Sequence, residues 1–77
     1  MESRIKKIMA DVFLIDESNI NENSSPETIE QWDSIGHLNL VTSLEEAFGV
    51  IFDEEQIIQM LNFKLVVVVV EEAVGNK

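Results

Sequence analysis

The chain has 77 residues, of which 15 are acidic and 5 are basic, and its formal net charge is −10. A chain of this length builds one small core that supplies only about 3 to 5 kcal/mol. We therefore expect a single domain over residues 1–77, without the deep cleft of an enzyme. The sequence contains no cysteine, which excludes disulfides and cysteine-ligated zinc, and we expect no metal site.

The charges are unevenly distributed. No lysine or arginine occurs between Ile8 and Phe63, where most of the acidic residues lie. Such a surface repels nucleic acid and anionic membranes, because binding phosphates requires cations. We expect a basic face on a partner protein, although a purely solubilising role would also account for the net charge. The N-terminus has no signal-type apolar segment, and the longest apolar run, LVVVVV, is far below the roughly 20 residues of a membrane span. This predicts a cytoplasmic protein.

The first predicted helix carries apolar residues at helical spacing, which places them on one face: Ile5, Ile8, Met9, Val12 and Phe13. Residues 16–33 are polar and include the only proline. A connection this long is uncommon in a compact domain unless it has a function. We expect Ile20, Ile29 and Trp32 to anchor it to the core.

The second predicted helix has the clearest pattern. Its apolar stripe consists of Ile35, Leu38, Val41, Leu44 and Phe48, with Leu40 and Ala47 at its edges. Gly49 follows, where a left-handed residue ends many helices. The opposite face is polar and includes His37, which we interpret as a solvated surface histidine.

Two further helices are predicted. Asp53 is placed to cap the third, which is short, with Gln56 at the capping-box position. Five consecutive valines would favour a strand in the last segment, but an isolated two-stranded ribbon is marginal, so we predict a helix with Asn62 as its cap and Gly75 as its terminating residue. The valines at 68 and 69 are the least easily assigned to the core. The sequence thus predicts an all-α four-helix bundle with a long loop between helices one and two.

Two possible functional motifs, a calcium-binding loop and a hydrolase triad, are incomplete in this sequence. Asp16 and Glu27 have the spacing of a calcium loop, but Ile20 occupies a ligand position and Asn21 replaces the turn glycine. Asp33, Ser34 and His37 include the residue types of a hydrolase triad, but a small helical domain supplies no oxyanion hole. Neither motif indicates catalysis or metal binding.

Ser34 raises a different question. A serine before an apolar periodic run usually caps the helix, and we expect Ser34 to do so. The surrounding segment, WDSIGHLNLVTSLEEAFG, resembles the central region of acyl carrier proteins, in which an Asp-Ser-Leu or similar triplet opens the second helix of a four-helix bundle. The resemblance extends over the whole chain, from the amphipathic first helix and long polar loop to the aliphatic last helix.

The resemblance implies that Ser34 carries phosphopantetheine, attached by a phosphopantetheinyl transferase, and that the protein carries acyl or aminoacyl groups as thioesters without catalysing a reaction. It also implies docking by Asp33, Ile35, Glu45 and Glu46 to acyl-transferring or acyl-modifying enzymes with basic faces. We expect a monomer. Apolar surface between the second and fourth helices, including Val68 or Val69, would shelter an attached chain.

The sequence departs from many fatty-acid carriers at three positions. Gly36 and Asn39 stand where those proteins often have acids, and His37 is not typical of them. These departures favour a specialised acyl or aminoacyl carrier over one for fatty-acid synthesis, with polyketide and cell-envelope pathways also open. The alternative from another class is an acidic helical adaptor without a prosthetic group, in which Ser34 is only a cap.

Overall fold

A computed structural model describes residues 1–75 and contains four α-helices. They are α1 (Glu2–Phe13), α2 (Ser34–Phe48), α3 (Glu54–Gln59) and α4 (Phe63–Gly75), with a short 3-10 turn at Glu17–Asn19. Within the described residues there is no strand, so the valine-rich segment is helical as predicted. The all-α architecture, the long connection between α1 and α2, and the short third helix are confirmed. No described helix combines the length and apolar character needed to cross a membrane.

The predicted helix ends are confirmed at three places. Gly49 ends α2 with a left-handed φ of 64°. The carboxylate of Asp53 accepts a hydrogen bond from the Gln56 backbone N–H, and the Gln56 side chain accepts one from the Asp53 N–H. Asn62 caps α4 by accepting a hydrogen bond from the Leu65 N–H at 2.8 Å. The predicted end of α4 at Gly75 coincides with the last described residue.

The core is built from α1, α2, α4 and the long connection, with Phe52 and Met60 from the segments on either side of α3. The predicted anchors Ile20, Ile29 and Trp32 are buried. The ring centroid of Trp32 lies 5.6 Å from that of Phe13 on α1. The connection is also fixed to α4, because the Ser24 carbonyl accepts a hydrogen bond from the Phe63 N–H at 2.8 Å. The polar segment is thus an ordered part of the fold.

The valines of α4 are divided differently from the prediction. Val69 is buried with Val66 and Val70, whereas Val68 is 39% exposed. α4 is in contact with α3, and its first residue, Phe63, contacts the connection and Lys6 of α1. Val68 lines a shallow cavity with Glu2 of α1 and Glu22 of the connection. The proposed shelter between α2 and α4 stays a prediction.

The stripe predicted for α2 is partly wrong. Ile35 is 71% exposed and Leu38 is 59% exposed. The buried face instead runs through Gly36, Leu40, Val41 and Leu44. The first turn of α2 packs through a glycine, so the larger apolar residues on either side remain in solvent. A periodicity that counts only apolar side chains does not detect this shift, since glycine contributes no apolar signal.

Arg4 links α1 to the end of α2, a contact that the sequence pattern did not reveal. Its Nη2 atom donates a hydrogen bond to the Ala47 carbonyl at 2.7 Å, and its guanidinium carbon lies 4.5 Å from the centroid of the Phe48 ring. A cation at a helix C-terminus satisfies a free carbonyl and interacts favourably with the helix dipole. The guanidinium therefore stabilises both the end of α2 and its packing against α1.

We expect Arg4→Ala to lower the free energy of unfolding by about 1 kcal/mol, the sum of a capping contact and an exposed cation–π contact. Urea denaturation followed by circular dichroism would measure it. Lys7→Ala is the matched control, since Lys7 is an exposed cation on the same helix. Equal losses for the two variants would show that only the net positive charge of α1 matters.

Candidate functional site

The start of α2 is capped by Asp33 and not by Ser34. The Asp33 side chain accepts a hydrogen bond from the Gly36 N–H at 2.8 Å, and its backbone is extended, as expected of an N-cap. The expectation that Ser34 caps the helix is therefore wrong. The reason is that Asp33, one residue earlier, has a carboxylate that reaches the third residue of the helix. Ser34 becomes the first helical residue.

Ser34 has an exposed side chain. Its hydroxyl makes no hydrogen bond to any residue in the described part of the chain. Asp33 caps the helix, so the Ser34 hydroxyl is not needed for capping. The Ser34 hydroxyl is therefore accessible from solvent.

An open cavity of about 580 Å³ lies beside Ser34. Its walls come from the long connection, the first turn of α2, and α3 with the residues that follow it. Most of the lining is apolar; the lining residues are Pro26, Trp32, Asp33, Ser34, His37, Ile57, Ile58, Met60 and Leu61. The serine hydroxyl therefore stands at the edge of an apolar depression on an otherwise acidic molecule.

His37 is half-buried and bridges two elements, so its interpretation as a solvated histidine is wrong. Its Nδ1 atom lies 2.8 Å from the Trp32 indole nitrogen, and its Nε2 atom lies 2.9 Å from the Ile57 carbonyl oxygen. At this point of α2 the indole of Trp32 and the Ile57 carbonyl of α3 lie within hydrogen-bond distance of the imidazole. Neither partner is apparent from the periodicity of α2.

Gly36 allows the first turn of α2 to approach the connection. A Cβ atom at this position would lie 2.0 Å from the Gln31 carbonyl oxygen and 3.2 Å from a ring carbon of Phe13. Only glycine fits, because the nearest atom belongs to the backbone and cannot rotate away. The glycine therefore determines where Ser34 lies relative to Trp32 and the cavity.

The four predicted docking residues occupy different environments. Asp33 and Ile35 are exposed beside Ser34, and Glu46 is exposed near the other end of α2. Glu45 is half-buried, and its carboxylate accepts a hydrogen bond from the Phe52 N–H at 2.9 Å. Glu45 thus has a structural function in the segment between α2 and α3. The prediction did not include Leu38, whose exposure one turn after Ile35 extends the apolar surface.

No protein-family model matches the sequence, and a search of curated proteins finds no match. The four helices form a bundle of the acyl-carrier-protein type. Among solved structures, the fold is similar to that of the holo acyl carrier protein from Geobacter metallireducens, with a TM-score of 0.88. The two sequences are 24% identical, and the match covers 97% of this chain and 86% of the other. The resemblance stated from the sequence is thus confirmed for the fold.

Proposed function

We propose that this protein is an acyl carrier whose phosphopantetheine arm is attached to Ser34. The observation that carries the proposal is the position of this serine: it is exposed, released from capping by Asp33, and placed beside an apolar cavity. The similarity to a holo acyl carrier protein adds support at the level of the fold.

The residues around Ser34 fit a phosphodiester. The first turn of a helix presents free N–H groups and a partial positive charge, which favour an anion there. This matters on a molecule of net charge −10, where most surface positions would repel a phosphate. Asp33 keeps its negative charge beside the serine, although its Oδ1 atom accepts the Gly36 N–H, so the favourable contribution comes from the helix N-terminus. Ser34 is thus an electrostatically suitable attachment point.

The bound arm would supply a thiol that holds an acyl or aminoacyl group as a thioester. The chain itself tethers this group and presents it to partner enzymes, so that they meet it at a high effective concentration. Its own side chains would perform no bond-making step. The apolar lining beside Ser34 offers the attached group a partly desolvated surface.

The residues around the serine favour a specialised carrier over a fatty-acid carrier. An acid at position 36 is sterically excluded, because the Gln31 carbonyl occupies the space of its Cβ. Position 37 is occupied by a histidine bonded to Trp32 and Ile57. Where many fatty-acid carriers have acidic residues in the first turn of this helix, the present chain has a closely packed glycine and a hydrogen-bonded histidine. We therefore propose acyl or aminoacyl cargoes, including polyketide intermediates, for this carrier.

The direct test is incubation with coenzyme A and a promiscuous phosphopantetheinyl transferase, followed by mass spectrometry of the intact protein. A carrier gains the mass of one arm. An unchanged mass, with a known carrier protein modified in the same tube, would favour the acidic adaptor without a prosthetic group. Identification of the thioester on protein from its native cell would then give the cargo.

We propose that partner enzymes dock along the exposed side of α2 through basic faces. The apolar part of this surface is Ile35 and Leu38, and its acidic part is Asp33 and Glu46. Glu46 lies three turns after Ser34, roughly 18 Å along the helix at 1.5 Å per residue. A partner that contacts Glu46 would therefore also reach the arm. Exposed ion pairs contribute only about 0 to 1 kcal/mol each, so docking would be weak and reversible.

We expect Glu46→Lys to slow modification of Ser34 by a transferase with a basic docking face by up to about fivefold, the equivalent of one exposed ion pair. Glu46 is the better choice for reversal, because a lysine at position 45 would also break the bond to the Phe52 N–H. Rates would be measured over a salt series, in which added salt should slow the wild type more than the variant.

Glu72→Lys is the control, since it makes the same charge change at an exposed position of α4. If both variants slow the reaction equally, docking responds to net charge and not to α2. If neither does, Glu46 is solvated surface and the docking site lies elsewhere, with Glu54 and Glu55 as the next candidates.

A further inference from the structure

The third helix has few attachments to the rest of the molecule. It is only six residues long, and none of these residues is fully buried. Met60, immediately after it, is buried and anchors the chain there. Ile57 and Ile58 nevertheless form part of the cavity wall beside Ser34. The position of this wall therefore depends on whatever contacts hold α3 in place.

The imidazole of His37 supplies one such contact, and its tautomer follows from its partners. An indole N–H can only donate a hydrogen bond, so Nδ1 of His37 accepts from Trp32 at 2.8 Å. In the neutral ring the proton then resides on Nε2, which donates to the Ile57 carbonyl at 2.9 Å. Both ring nitrogens form hydrogen bonds. The resulting bridge Trp32–His37–Ile57 joins the segment before α2, α2 itself and α3.

The acceptor belongs to the last turn of α3. Carbonyls in this turn lack partners within the helix, and side-chain donors can satisfy them. The Ile57 carbonyl also accepts the Met60 N–H, but at a longer distance of 3.3 Å. The imidazole N–H is therefore the closer of its two donors. It caps a helix that is too short to be stable on its own.

We propose that His37 is a positioning residue that fixes α3 against the start of α2 and so maintains the cavity beside Ser34. The His37–Ile57 hydrogen bond spans 20 residues of sequence, and the bond from Trp32 joins it to a buried side chain. The functional role of this bridge rests on the proposed carrier function, because the cavity wall formed by Ile57 and Ile58 lies beside Ser34, the proposed attachment point. The bridge itself belongs to the unmodified chain and is tested there.

The first experiment uses the native protein. The sequence has one histidine and one tryptophan, so a sample with both residues ¹⁵N-labelled gives one pair of imidazole nitrogens and one indole nitrogen. In the neutral ring we expect an unprotonated Nδ1 and a protonated Nε2, with a hydrogen-bond coupling between the Trp32 indole N–H and Nδ1. A ring that averages between the two tautomers, without that coupling, would overturn the proposal before any variant is made.

The second experiment compares amide hydrogen exchange in two variants of unmodified protein. His37→Phe keeps a ring but loses both hydrogen bonds. His37→Gln offers an acceptor and a donor separated by one carbon, as in imidazole. We expect amides of α3 and the adjacent Met60 to exchange about tenfold faster in the phenylalanine variant, the effect of losing one net hydrogen bond, and glutamine to restore most of the protection.

Exchange in α1 and α4 separates positioning from general stability. The proposal requires these helices to change much less than α3. Equal acceleration in all helices, or unchanged exchange in α3, would overturn it. Asn39→Ala is the control on the same helix, because Asn39 is exposed. The proposal of a carrier function is tested separately: it is contradicted if the wild type gains no mass with coenzyme A and the transferase, whatever the result for His37.

Discussion

Replacing Ser34 with Ala is expected to abolish the mass gain with coenzyme A and a transferase while leaving the protein folded. The reaction requires the serine oxygen, and alanine has none. The helix keeps its cap because Asp33, and not Ser34, accepts the Gly36 N–H. The loss of stability should therefore fall below the usual cap penalty of about 0.5 to 2 kcal/mol.

Intact-mass measurement and a thermal melt of the same sample check both parts. The variant retains Ser3, Ser18, Ser24, Ser25 and Ser43, which serve as internal controls for modification elsewhere. A full mass gain in Ser34→Ala would move the attachment site to one of these. A variant that unfolds would show that the hydroxyl at the first helical position has a structural function.

Replacing Gly36 with Ala is expected to be the most destabilising single-methyl change at the site. Overpacking a folded protein usually costs about 1 to 3 kcal/mol, and here the new Cβ would lie 2.0 Å from a backbone oxygen. The better helix propensity of alanine offsets only about 1 kcal/mol. A net loss of about 2 kcal/mol is a large part of the total stability of a domain this small.

Urea denaturation would measure this loss, and Gly75→Ala is the matched control. Gly75 lies in α4, where an added Cβ meets nothing within 4 Å. The control should be neutral or slightly stabilising. If Gly36→Ala is as stable as the control, α2 can shift away from Gln31 without penalty, and the fixed position of Ser34 would no longer follow from the glycine.

The helices were predictable because their signals are local. Gly49 after the second apolar stripe, and Asp53 three residues before Gln56, are end signals that act within one turn. The helical state of the valines followed from excluding a strand without partners. Local patterns of this kind fix where helices begin and end, and that was enough to predict the bundle.

The environment of the site was less predictable because it depends on contacts across the chain. The partner of His37 in α3 is a backbone carbonyl, which has no signature in the sequence. The buried face of α2 shifts at Gly36, because this residue packs through its backbone and has no side chain to signal burial. Ser34 itself could be selected by resemblance, but its release from capping became apparent only from the geometry of Asp33.

The position of Trp32 has a practical consequence for spectroscopy of this protein. Trp32 is the only tryptophan and the chain has no tyrosine, so its near-ultraviolet emission comes almost entirely from one ring. That ring lines the cavity beside Ser34. Intrinsic fluorescence is therefore a label-free probe located at this cavity, and it reports changes around Trp32 in real time without an added dye.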